Sequence, residues 1–339
     1  MRKMKNTIYT LLLSIVLPFC ITACASIHDE PDGEGINPTK VSVTLDFLFK
    51  EVSINTMSHT MAKSSVSIDP LNDHSLRYVV EIYSEVGGGA PLHRFVKCSD
   101  QLKDNDVTID VTLNASSYIV LAWVDYVPKG SQSDYLYNTQ SLKSVEVKAP
   151  YSGSIYAKDA FAAKASLDLR SYGNSKSSTI KKTIELKRPL SSFVIVATDM
   201  SDYLFEQGGG LADADIPVTA DFTYHASLAV AYNVFEGSTA TYSDKEVFSG
   251  QVEDHTEESC VIAYDYVLMD SESSNVEVSF DIYSLSGVHI NRINNLKIPL
   301  KRNTQTVVKL PCLIPSDGNG GIDIEDGFDG PPIEIVIPD

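Results

Sequence analysis

Apolar and polar residues alternate along most of the chain. The alternation is clearest in Val41–Phe47, Val107–Leu113 and Val276–Tyr283. Because successive side chains of a strand point to opposite faces, each segment predicts a strand with one buried face. The nearly continuous apolar run Tyr118–Val124 predicts instead a strand that is buried on both faces.

Further short segments follow the same pattern, and turn residues separate them. They are Tyr78–Tyr83, Val145–Val147, Thr183–Leu186, Phe193–Val196, Val218–Phe222, and a final pair, Asn291–Leu300 and Gln305–Leu310, linked by Lys301–Thr304. Short helical pieces are expected only near Asp159–Lys164 and Asp199–Glu206. Many short strands with such punctuation predict a mainly β fold, with two antiparallel β-sandwich domains in series.

The polar stretch Arg170–Ser178 has no periodicity and suggests a domain boundary. We therefore expect an N-terminal sandwich over 40–172 and a C-terminal sandwich over 173–315. Residues 316–339 then form a Gly/Asp-rich tail with a terminal strand.

Three isoleucines, Ile333, Ile335 and Ile337, would share one face of the terminal strand. A strand behind a flexible loop can pair in its own sheet or extend to another subunit. The three isoleucines are therefore candidates for strand exchange, and an ordinary last strand is the alternative.

The N-terminus has the form of an export signal. Arg2, Lys3 and Lys5 precede the apolar run Ile8–Ala23, which is short for a membrane-spanning helix. Ile21-Thr22-Ala23-Cys24 resembles a lipobox, in which the cysteine thiol receives a diacylglycerol. We expect a lipoprotein signal peptide over 1–23, lipidation of Cys24 and an acidic tether over 24–39. The alternative is an ordinary secretory signal.

The acidic residues just behind Cys24 resemble the surface-export signal of Bacteroidetes lipoproteins, and two or more acyl chains anchor a protein stably. These features predict a protein that is lipid-anchored in the outer membrane and faces outwards. The charge balance agrees with an exposed exterior. The chain has 27 Lys and Arg against 45 Asp and Glu, and loss of residues 1–23 takes the formal net charge from −18 to −21. This excess argues against nucleic acid as a partner.

The cysteines that remain beside Cys24 are Cys98, Cys260 and Cys312. Their wide spacing fits no zinc site. Buried free thiols are the simpler interpretation, and a disulfide between Cys260 and Cys312 is the alternative.

No pattern in the sequence indicates catalysis, a cofactor or a metal. The seven histidines are scattered, and we find no zinc-protease helix, nucleophile elbow or phosphate loop. Oxygen ligands for calcium are a minor alternative in the tail, at Asp317, Asp323, Glu325, Asp326 and Asp329.

Aromatic residues raise the question of glycan binding, because aromatic faces stack on sugars. Trp123 lies within an apolar run and is expected in the core. Tyr126, Tyr135 and Tyr137 lie nearer to a loop and are the better candidates for a surface contact.

Several segments resemble the fimbrillin superfamily of Bacteroidetes surface proteins. They are Lys187–Leu190 leading into Phe193–Val196, Ile298–Thr306, Ala122–Tyr126, Asp134–Asn138, Asp159–Phe161, and Gly321–Ile324 with Phe328–Gly330. Ile298–Thr306 resembles a late hairpin of that group, formed by the final pair of strands. The resemblance implies two transthyretin-like β-sandwich domains without catalysis. It also implies that the partners are other fimbrial subunits, bound by donor-strand pairing.

Polymerising pilins of this superfamily are trimmed by an arginine- or lysine-specific protease within the first domain. This chain has no arginine between Arg2 and Arg77, and Arg77 opens an expected core strand. Lys40, Lys50 and Lys63 leave lysine cleavage open. We therefore expect a fimbrial anchor or assembly subunit that keeps its lipid. The alternative is a surface glycan-binding lipoprotein of a nutrient-uptake system.

Overall fold

A computed structural model describes residues 39–50, 69–85, 89–174, 179–212, 214–225, 227–315 and 333–336. The strands of the first part are β1 (Lys40–Phe49), β2 (His74–Ser84), β3 (His93–Ser99), β4 (Thr108–Asn114), β5 (Ser117–Pro128), β6 (Tyr137–Asn138), β7 (Val145–Val147), β8 (Ala160–Asp168) and β9 (Thr179–Leu186). The later strands are β10 (Leu190–Ala197), β11 (Pro217–Tyr224), β12 (Leu228–Asn233), β13 (Ser238–Ser243), β14 (Val247–Gln251), β15 (Cys260–Leu268), β16 (Ser273–Ser284), β17 (His289–Lys301), β18 (Gln305–Leu310) and β19 (Ile333–Val336). The helices are α1 (Met200–Glu206) and the 3₁₀ turns Pro70–Asn72, Tyr156–Lys158 and Arg170–Tyr172.

The first sandwich consists of the sheets β4-β1-β9 and β3-β2-β5-β8. Alternate residues of β1, including Val43, Leu45 and Phe47, form one core with Val80 of β2 and Phe161 of β8. The period-two pattern explains this core, because it places every second side chain between the sheets.

The second sandwich consists of β15-β10-β18-β19 and β14-β11-β16-β17. Its core joins Phe193, Ile195 and Val308 of the first sheet to Phe222 and Phe280 of the second sheet. The rings of Phe222 and Phe280 are stacked with their centroids 4.8 Å apart. The prediction of a mainly β protein with packed sheets is confirmed.

A further sheet, β13-β12-β7-β6, covers the outer face of β3-β2-β5-β8. β5 is therefore buried on both faces, as its apolar run predicts. Its residues Val120 and Val124 enter the first core, whereas Leu121 and Trp123 enter a cluster with Tyr232 of β12.

The connections between the two halves are extensive. β9 follows residue 172 but pairs with β1 in parallel, and β7, which precedes residue 172, pairs with β12. The expected division into 40–172 and 173–315 stays a prediction. The pairing extends the first sheet to Leu186.

Two local expectations are wrong. The final pair of strands is not a hairpin, because β17 pairs with β16 whereas β18 pairs with β10 in parallel. The turn between them passes from one sheet of the second sandwich to the other, and Asn303 adopts a left-handed φ of 58° there. Asp159–Lys164 forms the start of β8 instead of a helix, because Ala160 and Ala163 pack into hydrophobic clusters on opposite faces of the sheet. The expected helix near Asp199–Glu206 is present as α1.

Candidate functional site

The terminal strand β19 lies at one edge of the second sandwich. It pairs in parallel with β18, with Ile333 opposite Thr306 and Ile335 opposite Val308. Of the predicted site residues, Ile333 and Ile335 therefore lie in this strand, whereas Ile337 and Cys24 lie outside the described residues. Within the described chain β18 is the one strand that pairs with β19.

The first strand, β1, has a different environment. It pairs antiparallel with β4 from Lys40 to Asp46 and in parallel with β9 from Ser42 to Phe49. The C-terminal end of the strand is held by two further bonds. The backbone of Lys50 donates to the carbonyl of Leu186 at 2.9 Å, and the amide of Phe49 donates to Asp104 at 2.9 Å.

Strand β2 contains the arginine that bears on proteolytic trimming. Arg77 of β2 is 2% exposed and forms a bidentate pair with Asp125, with distances of 2.9 and 2.6 Å. It also donates to Asp134 at 2.7 Å. Burial raises the pKa of Asp125 to about 6, although the guanidinium of Arg77 opposes the shift. Arg77 therefore stabilises the core and is enclosed in the folded chain.

A second buried charge joins the two halves. The Lys158 ammonium lies 2.7 Å from Asp265 of β15. The hydroxyls of Tyr151 and Tyr224 each donate to Asp265 at 2.7 Å. Burial lowers the pKa of Lys158 and raises those of both tyrosines well above their usual value. Every member of this network is buried, so it links the halves and is closed to substrates.

The aromatic candidates for surface contact are mostly enclosed. Trp123 lies in the core, as expected, against Tyr137 with ring centroids 5.2 Å apart. The interpretation of Tyr126 and Tyr137 as surface residues is wrong, because both are at most 1% exposed. Proximity to a loop misled the prediction, since Tyr126 packs into the core of the first sandwich and Tyr137 packs between β6 and β5. Tyr135 is half-buried, with its ring 5.5 Å from that of His74.

The cysteines that the structure describes are free thiols. Cys260 and Cys312 are buried, and Cys98 is half-buried. Burial raises the pKa of Cys260 to about 12, which keeps the thiol protonated and unreactive at neutral pH. Free buried thiols are the interpretation that the sequence favours.

In the described ranges no group of three or more histidine, cysteine or acidic side chains is arranged to hold a metal ion. The calcium candidates of the tail lie outside those ranges. None of the described helices is long and apolar enough to cross a membrane.

The sequence did not predict a groove of about 680 Å³ between β8, β9 and the turn that joins β12 to β13. It opens where β8 and β9 diverge, beside Ala162, Ala163 and Ala165. A run of small residues is the signal that was available in the sequence, but alanines alone do not distinguish a groove from a packed edge.

Several solved structures are similar to this chain. The fimbrial anchor protein Mfa2 from Porphyromonas gingivalis shares 14% identity with it, at a TM-score of 0.44 over 76% of this chain and 82% of that chain. A putative adhesin from Bacteroides ovatus shares 11% identity, at a TM-score of 0.42 over 89% and 94% of the two chains. A fimbrial assembly protein from Parabacteroides distasonis shares 10% identity, at a TM-score of 0.36 over 80% and 90%.

These structures include proteins of the fimbrial group that the sequence segments resemble. No curated protein matches the sequence. The model of one family, described as a family of unknown function (DUF6562), matches residues 33–338. Because this match extends over most of the chain, the protein belongs to the DUF6562 family.

Proposed function

We propose that the protein is a non-catalytic surface lipoprotein that anchors or assembles a fimbrium by β-strand addition. The observation that carries this proposal is the unequal environment of the first and last described strands. β1 has a hydrogen-bonded neighbour on each side, whereas β19 has one neighbour, β18, among the described strands. The last strand is thus the one that can pair with another subunit without loss of a core strand.

The lipid on Cys24 is the membrane end of the anchor. The usual arginine-specific cut is not available, because the first arginine after Arg2 is Arg77 and its side chain is enclosed by Asp125 and Asp134. The tether and its lipid therefore remain attached to the folded chain. Lysine-specific cleavage at Lys40, Lys50 or Lys63 is the competing outcome that mass spectrometry of the mature N-terminus detects.

The connection of the tether to the fold also suits an anchor. Residues 24–39 lead directly into β1, and a pulling force on the lipid acts along that strand. Because β1 pairs along its length with β4 and β9, such a force loads many backbone hydrogen bonds together. A strand that is held in this way resists extraction better than one whose bonds break in succession.

The proposal is tested by recovery of partner subunits from outer membranes. The tagged full-length chain is compared with Cys24→Ala and with a chain that lacks residues 331–339. We expect the wild type to fractionate with the outer membrane and to recover fimbrial subunits. Cys24→Ala is expected to leave the membrane fraction, and the truncated chain to remain in it without partners.

Recovery of no subunit by the wild type contradicts the proposal, as does retention of Cys24→Ala in the membrane. Saturable binding of a defined polysaccharide would instead favour the glycan-binding alternative. For that alternative, Trp123, Tyr126 and Tyr137 are not available as glycan contacts, because all three are buried.

A further inference from the structure

The groove between β8 and β9 lies where two sheet edges of the first sandwich separate. β8 is the last strand of β3-β2-β5-β8, and β9 is the last strand of β4-β1-β9. The two strands meet at one antiparallel bridge, Ala162 with Lys187, whose backbone bonds measure 2.8 and 3.0 Å. Continued pairing in that register would place Lys164 opposite Glu185, but the ladder ends at the bridge.

The separation leaves backbone groups of both edges without a partner in the described chain. The backbone N–H and C=O of Ala162 point away from β5 and towards Lys187. Because every second residue of a strand directs its backbone groups to the same side, the N–H and C=O of Lys164 and Ser166 point in that direction too. On β9, the carbonyl of Leu186 points to Lys50, so Glu185 and Thr183 direct their backbone groups towards the groove. Open edges of this kind pair readily with an added strand.

Aliphatic and aromatic atoms line the groove between these edges. Ala162, Ala163 and Ala165 leave room on the β8 side. On the opposite wall, the turn after β12 places Phe235 under the Lys164 ammonium, which is 3.9 Å from the ring centroid and 2.7 Å from the Phe235 carbonyl. This wall is therefore held in place by Lys164.

The charge of the groove differs from that of the whole protein. The chain carries a formal net charge of −18, yet Lys164, Lys182 and Lys187 line the groove. The carboxylates that also line it are Glu185, Glu236 and Glu272, of which Glu185 is paired with Lys50 at 2.9 Å and Glu272 with Arg302 at 3.4 Å. In the described part of the chain, neither Lys182 nor Lys187 forms an ion pair. A carboxylate on a bound segment would be attracted to both.

We infer that this groove is an acceptor for one extended, acidic segment of a partner subunit, which adds as a strand between β8 and β9. The inference rests on the proposed function and deepens it by naming the accepting surface. The segment's backbone pairs with the open edges, antiparallel to one strand and parallel to the other. Lys182 and Lys187 lie on opposite faces of β9 by alternation, so carboxylates on both faces of the segment meet them. β1 stays in place, so acceptance requires no proteolytic trimming.

The test uses the full-length lipoprotein in detergent and a fluorescent ten-residue peptide in which pairs of valines alternate with pairs of glutamates, so that both faces of the strand carry glutamate. Binding is measured by fluorescence polarisation. We expect saturable binding that the double variant Lys182→Glu/Lys187→Glu weakens by at least about tenfold. Lys297→Glu, an exposed lysine of β17 away from the groove, is the matched control and is expected to leave the affinity unchanged.

Two further probes separate strand pairing from simple charge attraction. Ser166→Pro removes an N–H that has no partner in the described chain, so the fold should tolerate it while peptide binding is lost. An N-methylated peptide of the same charge should not bind, and a peptide with lysine in place of each glutamate should not bind either. Equal binding of the N-methylated peptide, or unchanged affinity in the double lysine variant, overturns the inference.

Failure of this inference is distinguishable from failure of the proposed function. If the double lysine variant still recovers fimbrial subunits from membranes as well as the wild type does, the groove is not the acceptor and the anchoring role stands. If the wild type binds the acidic peptide in the groove but recovers no fimbrial subunit, the acceptor stands and the anchoring role fails.

Discussion

The first and the last described strands have similar sequences but unequal surroundings. Both alternate apolar residues with polar or acidic ones, as in Val41-Ser42-Val43 and Ile333-Glu334-Ile335. β1 lies in the middle of its sheet between β4 and β9, whereas β19 lies at the end of its sheet beside β18. The comparison shows that position in the sheet, and not the residue pattern, decides how many neighbouring strands hold each of the two.

The difference has a physical origin in how many bonds each strand would lose on leaving. Removal of β1 breaks two ladders and opens a core that contains Val43, Leu45 and Phe47. Removal of β19 breaks only the short ladder with β18, which extends from Ile333 to Val336. Exchange of the last strand is therefore much less costly than exchange of the first.

The largest effect is expected from Phe47→Ala in β1. Phe47 is 1% exposed and lies 5.4 Å from the ring of Tyr78, so the substitution leaves a cavity between the two sheets. We expect the free energy of unfolding to fall by about 3–5 kcal/mol, as measured by denaturant titration. Leu48→Ala, on the opposite and half-buried face of the same strand, is the control and should cost clearly less. Equal losses of unfolding free energy in the two variants would show that packing in the core does not hold β1 in place.

Hydrogen exchange compares the two strands directly. Amides of β1 are expected to exchange only through global unfolding, because both ladders must open. Amides of β19 need only local separation from β18 and should exchange at least ~100-fold faster. Mass spectrometry of the deuterated native protein measures both, and the amides of β18 that pair with β10 serve as a protected reference. Similar rates in the two strands would remove the basis for exchange of β19.

Truncation after Pro315 tests the contribution of the last strand to stability. The core of the second sandwich includes Val308 and Leu310 of β18 but does not depend on a second neighbour for that strand. We expect the truncated chain to fold and to lose about 1–2 kcal/mol of stability, consistent with a few net backbone hydrogen bonds. A chain that fails to fold would show instead that β19 is integral to the sheet.

The smallest effect is expected from Lys181→Ala on β9. Its ammonium lies 3.1 Å from Asp46 of β1, but the lysine side chain is 67% exposed. Asp46 is buried, but it keeps a hydrogen bond from Thr183, and the exposed lysine is screened by water. We therefore expect a loss of about 0.5–1 kcal/mol in denaturant titration. Lys182→Ala, next to it on the same strand and without an ion pair in the described chain, should cost less. A loss of several kcal/mol in Lys181→Ala would show that this single pair holds β1 in its sheet.

Individual residues show how much of the fold was predictable. The pattern of β5 identified a strand that is buried on both faces, because an uninterrupted apolar run is stable only where no face meets water. The hairpin expected from Asn291–Leu300 and Gln305–Leu310 was wrong, although both strands exist, because periodicity specifies faces and not partners. Tyr126 and Tyr137 were expected at the surface for the same reason, since nothing local indicates that another sheet covers them.

Part of the candidate site was predictable from the sequence, and part was not. Cys24 and the isoleucines of the tail are readable from local patterns, a lipobox and an alternation, and their roles stay proposals. The groove between β8 and β9 could not be predicted from the sequence. It depends on two strand edges that are close at Ala162 and Lys187 and separate beyond them.

By itself, the sequence determined the mainly β class and the faces of most strands, and it predicted an export signal and a lipid anchor. These features depend on composition and on short-range periodicity, which are local properties of the chain. Only the tertiary structure decided that β1 is enclosed, that β19 lies at an edge, and that Arg77 is held by Asp125. Those outcomes depend on which distant segments pair, and pairing is selected by the packing of the whole core.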